Sequence, residues 1–229
     1  MRVVHVDPPE LGERDGLAYA AFRPAQAPRA RVVVLHGAGS QKESHYAWGR
    51  ACRVHGFAAV CFDLRGHGES PGELDGSALD DVATMAAAAG EPEVPLVLRG
   101  SSLGGWMALV AGARLDAAAV VAICPAPGAG LMRSLRAGTL PPFGVDVEAL
   151  AGLVASVSEE RAAAQLAGRL LLMHAAGDET IPVEVARGLH AAAPGSTFIE
   201  VPGGHHRSAQ HDSDQQAYAL RWVDKVLAG

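Results

Sequence analysis

Cysteine is scarce in this chain: Cys52, Cys61 and Cys124 are the only three in 229 residues. Odd in number and widely spaced, they offer neither a disulfide framework nor a metal-binding spacing, and a reducing compartment suits them best. Cys61 and Cys124 fall in apolar, strand-like runs where a buried inert thiol is expected. Long apolar runs are missing too. No segment approaches the ~20 apolar residues that cross a bilayer, and the N-terminal MRVVHVDPPEL has no apolar stretch long enough for a signal peptide. The expectation is a soluble, cytoplasmic protein with no membrane partner. Positive charge is the third deficit. Nineteen Lys and Arg against 25 Asp and Glu leave a formal charge of -6, with no basic stripe to follow a phosphate backbone, which argues against nucleic acid. Repeats are absent, and the ten histidines show no H-E-x-x-H-type metal spacing.

What is present is ordinary globular composition, 49% apolar and 19% charged, in a length that suits one domain with a substantial core. Short apolar runs alternate with helix-like segments. Val32–Leu35, Ala58–Phe62, Leu96–Leu98, Ala118–Cys124, Leu170–Met173 and Thr197–Val201 read as strands buried on both faces. Helical spacing marks Tyr46–His55, Ser77–Ala89, Leu103–Arg114, Val183–Ala192 and Ser213–Leu227. Alternation of this kind implies right-handed crossovers and a parallel sheet with helices on both faces. Two earlier runs, Arg2–Val6 and Leu17–Pro24, add strands at one edge, antiparallel to the rest, for about eight in all. Between two strand candidates lie Pro125 to Leu166, opening PAPGAG and containing GTLPPFG, which no uninterrupted helix can hold. A small cap over a site and a crossover helix with a long loop are both open readings of this stretch.

The segment LRGSSLGGWMAL carries the chemistry. Gly100-Ser101-Ser102-Leu103-Gly104 is a G-x-S-x-G pattern with a strand before it and a helix after it. That context puts Ser102 on a tight strand-to-helix turn at the carboxyl edge of the sheet, as a nucleophile. Ser101, not centred between the glycines, is expected to make a local hydrogen bond. The Leu103 amide sits at the helix N-terminus, able to donate to developing negative charge. A serine needs a base, and the base an orienting acid; after such an elbow the acid precedes the histidine in the chain. Asp178 in HAAGDETIP follows the strand Leu170–Met173 and is preferred to Glu179 as the acid. PGGHHR after the next strand supplies His205 or His206 as base, which the residues alone leave open. Upstream, VVVLHGAGS brings glycines that admit close backbone approach, so the Ala38 amide is expected as second oxyanion donor, with His36 organising the loop. Asp63, Arg65 and His67 in FDLRGHGES are expected to tie down loops, and His211 to lie at the surface.

HGAGS, FDLRGHGES, GSSLGGW, HAAGDETIP and the histidine after PGG together resemble, in order and over nearly the whole chain, the α/β-hydrolase superfamily. GSSLGGWMAL, CPAPGAGLM and GGHHRS are further similar to compact serine hydrolases that include the mitochondrial acyl-glucuronide esterase and palmitoyl-protein thioesterase group. The resemblance implies an α/β-hydrolase fold over residues 1–229 with a short cap at 125–166. A G-x-x-H-R pattern in such relatives, laid on GGHHR, selects His206 over His205. The chain departs from the common pattern at Ala175, where the acid loop more often begins His-Gly. Serine at 102 excludes the aspartate and cysteine nucleophiles used by other members.

The implied activity is hydrolysis of a small-molecule carboxylic ester or thioester through an acyl-enzyme, with Ser102, Asp178 and His206 as triad and the Ala38 and Leu103 amides as oxyanion hole. Neither metal nor organic cofactor is required by that chemistry. A serine peptidase or acyltransferase on the same triad, and a non-catalytic ligand-binding protein on the same scaffold, are the alternatives. Trp106, Met107, Leu131, Met132 and Phe143 are candidates to line an apolar acyl pocket, although the first two are expected rather to pack the helix into the core.

Overall fold

The computed structural model describes residues 7–229; the strand expected at Arg2–Val6 lies outside them. Eight strands form one sheet: β1 (Glu10–Arg14), β2 (Leu17–Phe22), β3 (Ala30–Leu35), β4 (Phe57–Phe62), β5 (Leu96–Ser101), β6 (Ala119–Ile123), β7 (Leu170–Ala175) and β8 (Thr197–Val201). Their order is β1-β2-β4-β3-β5-β6-β7-β8. β1 and β2 form an antiparallel hairpin, β2 joins β4 antiparallel, and every later pairing is parallel. β4 through β7 are buried at every position, as runs of apolar residues without alternation require when helices cover both faces. β1 is different. Its sequence ELGER is mostly exposed and carries no strand signal; the turn fixes it, because Asp15 and Gly16 both take positive φ (53° and 77°) as a two-residue type I′ connection demands.

The helices divide between the faces. α2 (Ala78–Ala89), α3 (Leu103–Arg114), α6 (Glu159–Leu166) and α7 (Glu184–Ala192) bury Leu79, Met85, Trp106, Leu109, Leu166 and Leu189 on one side. α1 (Tyr46–Val54) and α9 (Ser213–Leu227) bury Trp48, Cys52, Leu220, Trp222 and Val223 on the other. Each such side chain taken from water contributes on the order of 1.5–3 kcal/mol before conformational entropy is charged against it.

Residues 125–166 contain three helices, α4 (Gly128–Arg136), α5 (Val147–Ser156) and α6. α6 is the crossover helix, with Ala162, Ala163 and Leu166 buried. α4 and α5 extend beyond it, and α5 buries Leu150 alone. Side-chain caps begin α5 and α6: Asp146 accepts from the Ala149 amide and Ser158 from the Arg161 amide. A four-residue turn of helix, α8 (Ser208–His211), precedes α9.

The topology prescribes where a site can form. From β3 the chain first runs outward to β4, then returns to place β5 on the other flank of β3. Ligands of open parallel sheets sit at the carboxyl ends of the strands beside such a reversal.

Candidate active site

Ser102 follows β5 directly, at φ 55° and ψ -120°, a conformation that costs a non-glycine residue about 1–3 kcal/mol and persists only where its surroundings enforce it. The enforcement is visible in the flanking glycines. A methyl group at Gly100 would overlap the Gly104 carbonyl, and one at Gly104 would overlap the carbonyls of Leu35 and His36. The end of β3 and the first turn of α3 therefore close on Ser102 from both sides. Its amide donates to the Ile123 carbonyl (3.0 Å) and its carbonyl accepts from Trp106 and Ala126 (3.1 and 3.0 Å).

Asp178 lies in the loop after β7, its side chain fully buried. One carboxylate oxygen accepts from the Thr180 and Ile181 amides, both at 2.8 Å, which fixes the turn. The other accepts from His206 Nδ1–H at 2.7 Å. Burial alone would raise the carboxyl pKa, but the Ile181 amide, the His206 ring and the Thr180 amide together hold it below the ordinary carboxylate value. Of the two candidate bases, His206 is the one joined to Asp178; His205 is exposed and its ring nitrogen accepts from the Arg207 amide at 3.3 Å. Glu179 accepts from the His206 amide at 3.3 Å and is bonded to the backbone of the base instead of its ring.

Two cavities meet at Ser102. The smaller, about 50 Å³, is polar and includes Ser40, Ser101, Ser102, His206 and Gln210 in its lining. The larger, about 190 Å³, runs beneath α4 past Leu103, Ala126, Pro127, Leu131 and Ile181. Ala38 lines both. Among the described residues neither the Ala38 nor the Leu103 amide donates to a protein acceptor, so both are available to a ligand at the serine. No hydrogen bond joins Ser102 to His206 among the described residues; such contacts commonly close only with substrate in place.

The neighbouring loops are tied down by polar groups. Buried His36 donates from Nδ1 to the Gly37 carbonyl (2.8 Å) and accepts the Leu64 amide at Nε2 (3.0 Å); burial pushes its pKa down to about 4, so the ring is neutral. Buried Asp63 accepts from the Lys42 amide (2.7 Å), the Lys42 ammonium (2.8 Å) and the Glu69 amide (2.9 Å). Arg65 pairs with Asp81 at 2.8 Å, and His67 stacks on Phe143 at 4.2 Å between ring centres. Arg99, on β5 three residues before Ser102, is wholly buried. It lies over the Trp48 ring, 4.6 Å from its centre, and donates to the Gln210 carbonyl just after His206 (2.9 Å).

The structure departs from the sequence reading in several places. Among the described residues the buried Ser101 hydroxyl has no hydrogen-bond partner instead of bonding locally, because the last residue of β5 faces the small polar cavity. Of the five candidates for an acyl pocket, Leu131 lines the larger cavity; Trp106 and Met107 pack the helix into the core as expected, whereas Met132, on α4, is buried in the same core cluster and Phe143 stacks on His67. Two neighbours of the Asp178–His206 pair carry no sequence signal at all. His174 is fully buried, donates to the Ile181 carbonyl (2.8 Å) and lies 3.4 Å from Asp178 Oδ2; burial holds its pKa below the ordinary histidine value. Cys124, at φ 43°, has its sulfur within 4.8 Å of donor atoms of Asp178 and His206. Thiol, carboxylate and imidazole are zinc-type donors, but the Asp178 oxygen and His206 Nδ1 are already spent on each other at 2.7 Å, and burial pushes the Cys124 pKa up to about 12.

Comparison with known proteins agrees with this architecture. Est1E from Butyrivibrio proteoclasticus superposes with a TM-score of 0.73 at 16% identity, over 97% of this chain and 100% of that one. The monoacylglycerol lipase of Paleococcus ferrophilus gives 0.71 at 20% identity over 93% and 98%. A soluble variant of monoglyceride lipase from Saccharomyces cerevisiae, in complex with a substrate analogue, gives 0.73 at 16% identity over 98% of each chain. At these identities the likeness concerns the fold, an eight-stranded, mostly parallel α/β-hydrolase sheet. No curated protein matches by sequence. A sequence profile of the family described as serine aminopeptidase, S33, matches residues 26–149, the span from β3 through the serine turn into α5. The chain thus belongs to this serine aminopeptidase S33 family of α/β-hydrolases.

Proposed function

We propose that the chain is a serine hydrolase of carboxylic esters working through an acyl-enzyme. The carrying observation is the 2.7 Å contact between His206 Nδ1 and Asp178 Oδ2, with His206 and Ser102 lining a single cavity. In this reading Ser102 Oγ attacks the acyl carbonyl while His206 Nε2 takes its proton and returns it to the leaving group. Asp178 holds the tautomer with Nε2 unprotonated and stabilises the imidazolium that forms. The Ala38 and Leu103 amides receive the oxyanion, which they can do without breaking any protein hydrogen bond. Water then repeats the sequence on the acyl-enzyme. Because the base must be neutral, activity falls on acidification.

Residues 125–166 serve here as a short cap whose helix α4 roofs the larger cavity. Thioesters belong in the substrate range on the strength of the motif similarity to the acyl-glucuronide esterase and palmitoyl-protein thioesterase group. An aminopeptidase reading draws support from the matched family's description. Against it, a free N-terminal ammonium wants an anionic partner, and the one charged residue lining the larger cavity is Arg133. Ester substrates are therefore preferred.

A fluorophosphonate probe should label the wild-type protein and not Ser102→Ala. Hydrolysis of a p-nitrophenyl ester should fall by on the order of 10³–10⁶ in Ser102→Ala and His206→Ala and stay within about threefold in His205→Ala. Equal labelling of Ser102→Ala would remove the nucleophile, and loss of activity in His205→Ala alone would move the base. An aminoacyl p-nitroanilide turned over faster than any ester would favour the peptidase.

A further inference from the structure

The two cavities at Ser102 are not equivalent, and their chemistry separates the two halves of a substrate. His206 must reach the leaving-group atom to protonate it, and His206 lines the small polar cavity but not the larger one. The leaving group is thereby assigned to the small side and the acyl chain to the 190 Å³ side. That volume is well under the ~300 Å³ at which drug-sized pockets begin. A short acyl chain fills it.

Its lining is apolar near the serine, at Leu103, Ala126, Leu131 and Ile181. Farther along α4 stands Arg133, the one charged residue among those that line it. Arg133 forms no ion pair among the described residues, whereas Arg136, one turn onward, pairs with Glu148 at 3.5 Å. The Arg133 guanidinium folds back over the helix: Nη2 lies 3.7 Å from where a β-carbon of Gly130 would stand, and Gly130 is itself a wall residue. An apolar chamber that starts at an acyl-accepting serine and ends at an unpaired guanidinium matches an acyl chain with an anion at its far end.

We propose that the preferred substrate is a half-ester of a short dicarboxylic acid, or an ester of an equally short acyl chain ending in another anion, with Arg133 as the residue that selects it. This rests on Ser102 and His206 acting as proposed above. In the acylation step the Ser102 oxygen bonds to the acyl carbon, the ester C–O bond breaks, and the alcohol leaves with the proton carried by His206. The distal carboxylate stays ionised against Arg133 throughout.

The test compares kcat/KM for mono-p-nitrophenyl adipate, p-nitrophenyl hexanoate and p-nitrophenyl 6-aminohexanoate, equal in chain length and differing in terminal charge. Wild type should prefer the anionic ester over the neutral one. Arg133 is exposed, and Arg133→Gln should lower that ratio about threefold, the worth of one charge pair at such a site. Arg133→Glu should reverse the preference toward the cationic ester, which no misfolded protein could do, and Arg136→Gln should keep the wild-type ratio. A ratio that Arg133→Gln leaves unmoved, with all turnover abolished in Ser102→Ala, would sink the anion selectivity and spare the hydrolase. Turnover that survives Ser102→Ala, or no turnover of any ester, would take both down.

Discussion

The ground beneath Ser102 and the roof above it are built in opposite ways. Beneath, the ends of β3 and β4 are locked by buried polar groups: His36 spans Gly37 and Leu64, and Asp63 gathers Lys42 and Glu69. Above, α5 buries one side chain, Leu150, and the GTLPPFG connection from α4 is largely exposed. The proposed chemistry needs a strained serine and two amides held to a fraction of an ångström, which only an over-determined frame supplies. Choosing a substrate needs only a shaped wall, and a thinly held segment can vary in shape at little cost to the sheet.

This contrast can be broken from either side. The largest effect belongs to Asp63→Ala, which removes the buried partner of the Lys42 ammonium and leaves it the more exposed Glu43 and Glu69; with those two still paired, the cost should be about 3 kcal/mol, the lower end for a broken buried pair. Urea denaturation should show that loss, and residual ester turnover should fall with it because the Ala38 loop is tied to Lys42 and Asp63.

The second effect is one of pH. His36 is held near 4 when folded against about 6.5 in an unfolded chain, so between those values the unfolded state binds the extra proton. Stability should therefore be complete above pH 6.5 and decline as pH drops toward 4, by on the order of 3 kcal/mol from this group. Asp178 adds to the acid loss at lower pH. Its folded value lies below the ordinary carboxylate range, so its contribution is present above that range and lost as pH falls through the folded value. Thermal melts across pH, repeated on His36→Gln, should flatten the upper part of this decline.

The smallest effect is expected in the roof. Asp146→Ala removes the side-chain cap of α5, worth about 1 kcal/mol. It should raise KM for a p-nitrophenyl ester more than it lowers kcat, leaving urea unfolding of the sheet nearly unmoved. A large fall in overall stability would mean that cap and sheet are not separable.

How much was legible in the sequence follows the same division. Leu103–Arg114, Thr197–Val201 and Ser213–Leu227 were readable to the residue, because apolar period and breaker residues agree there. Ser102 stood out because its glycine neighbours are needed for close approach of backbone, a local requirement written in adjacent letters. Asp178 and the histidine pair were singled out only through chain order, and preferring His206 took a pattern borrowed from resembling proteins. β1 went unread because ELGER has no strand character of its own; the Asp15-Gly16 pair was the available signal. Cys124, His174 and Arg133 were invisible as site neighbours. Each acquires its meaning from what folding sets beside it, and nothing at positions 123–125, 173–175 or 132–134 announces an imidazole, a carboxylate or a cavity.

Arg99 carries one last consequence. Arg99 rides on the strand that runs straight into Ser102, Gln210 on the short helix α8 that follows His206, and the guanidinium bolts the second to the first. A thermal excursion of that segment must drag the β5 end along with it or rupture a contact sealed from water. Hydroxyl and imidazole consequently share one mechanical chassis, and their mutual alignment should drift far less on warming than either drifts against the helices outside.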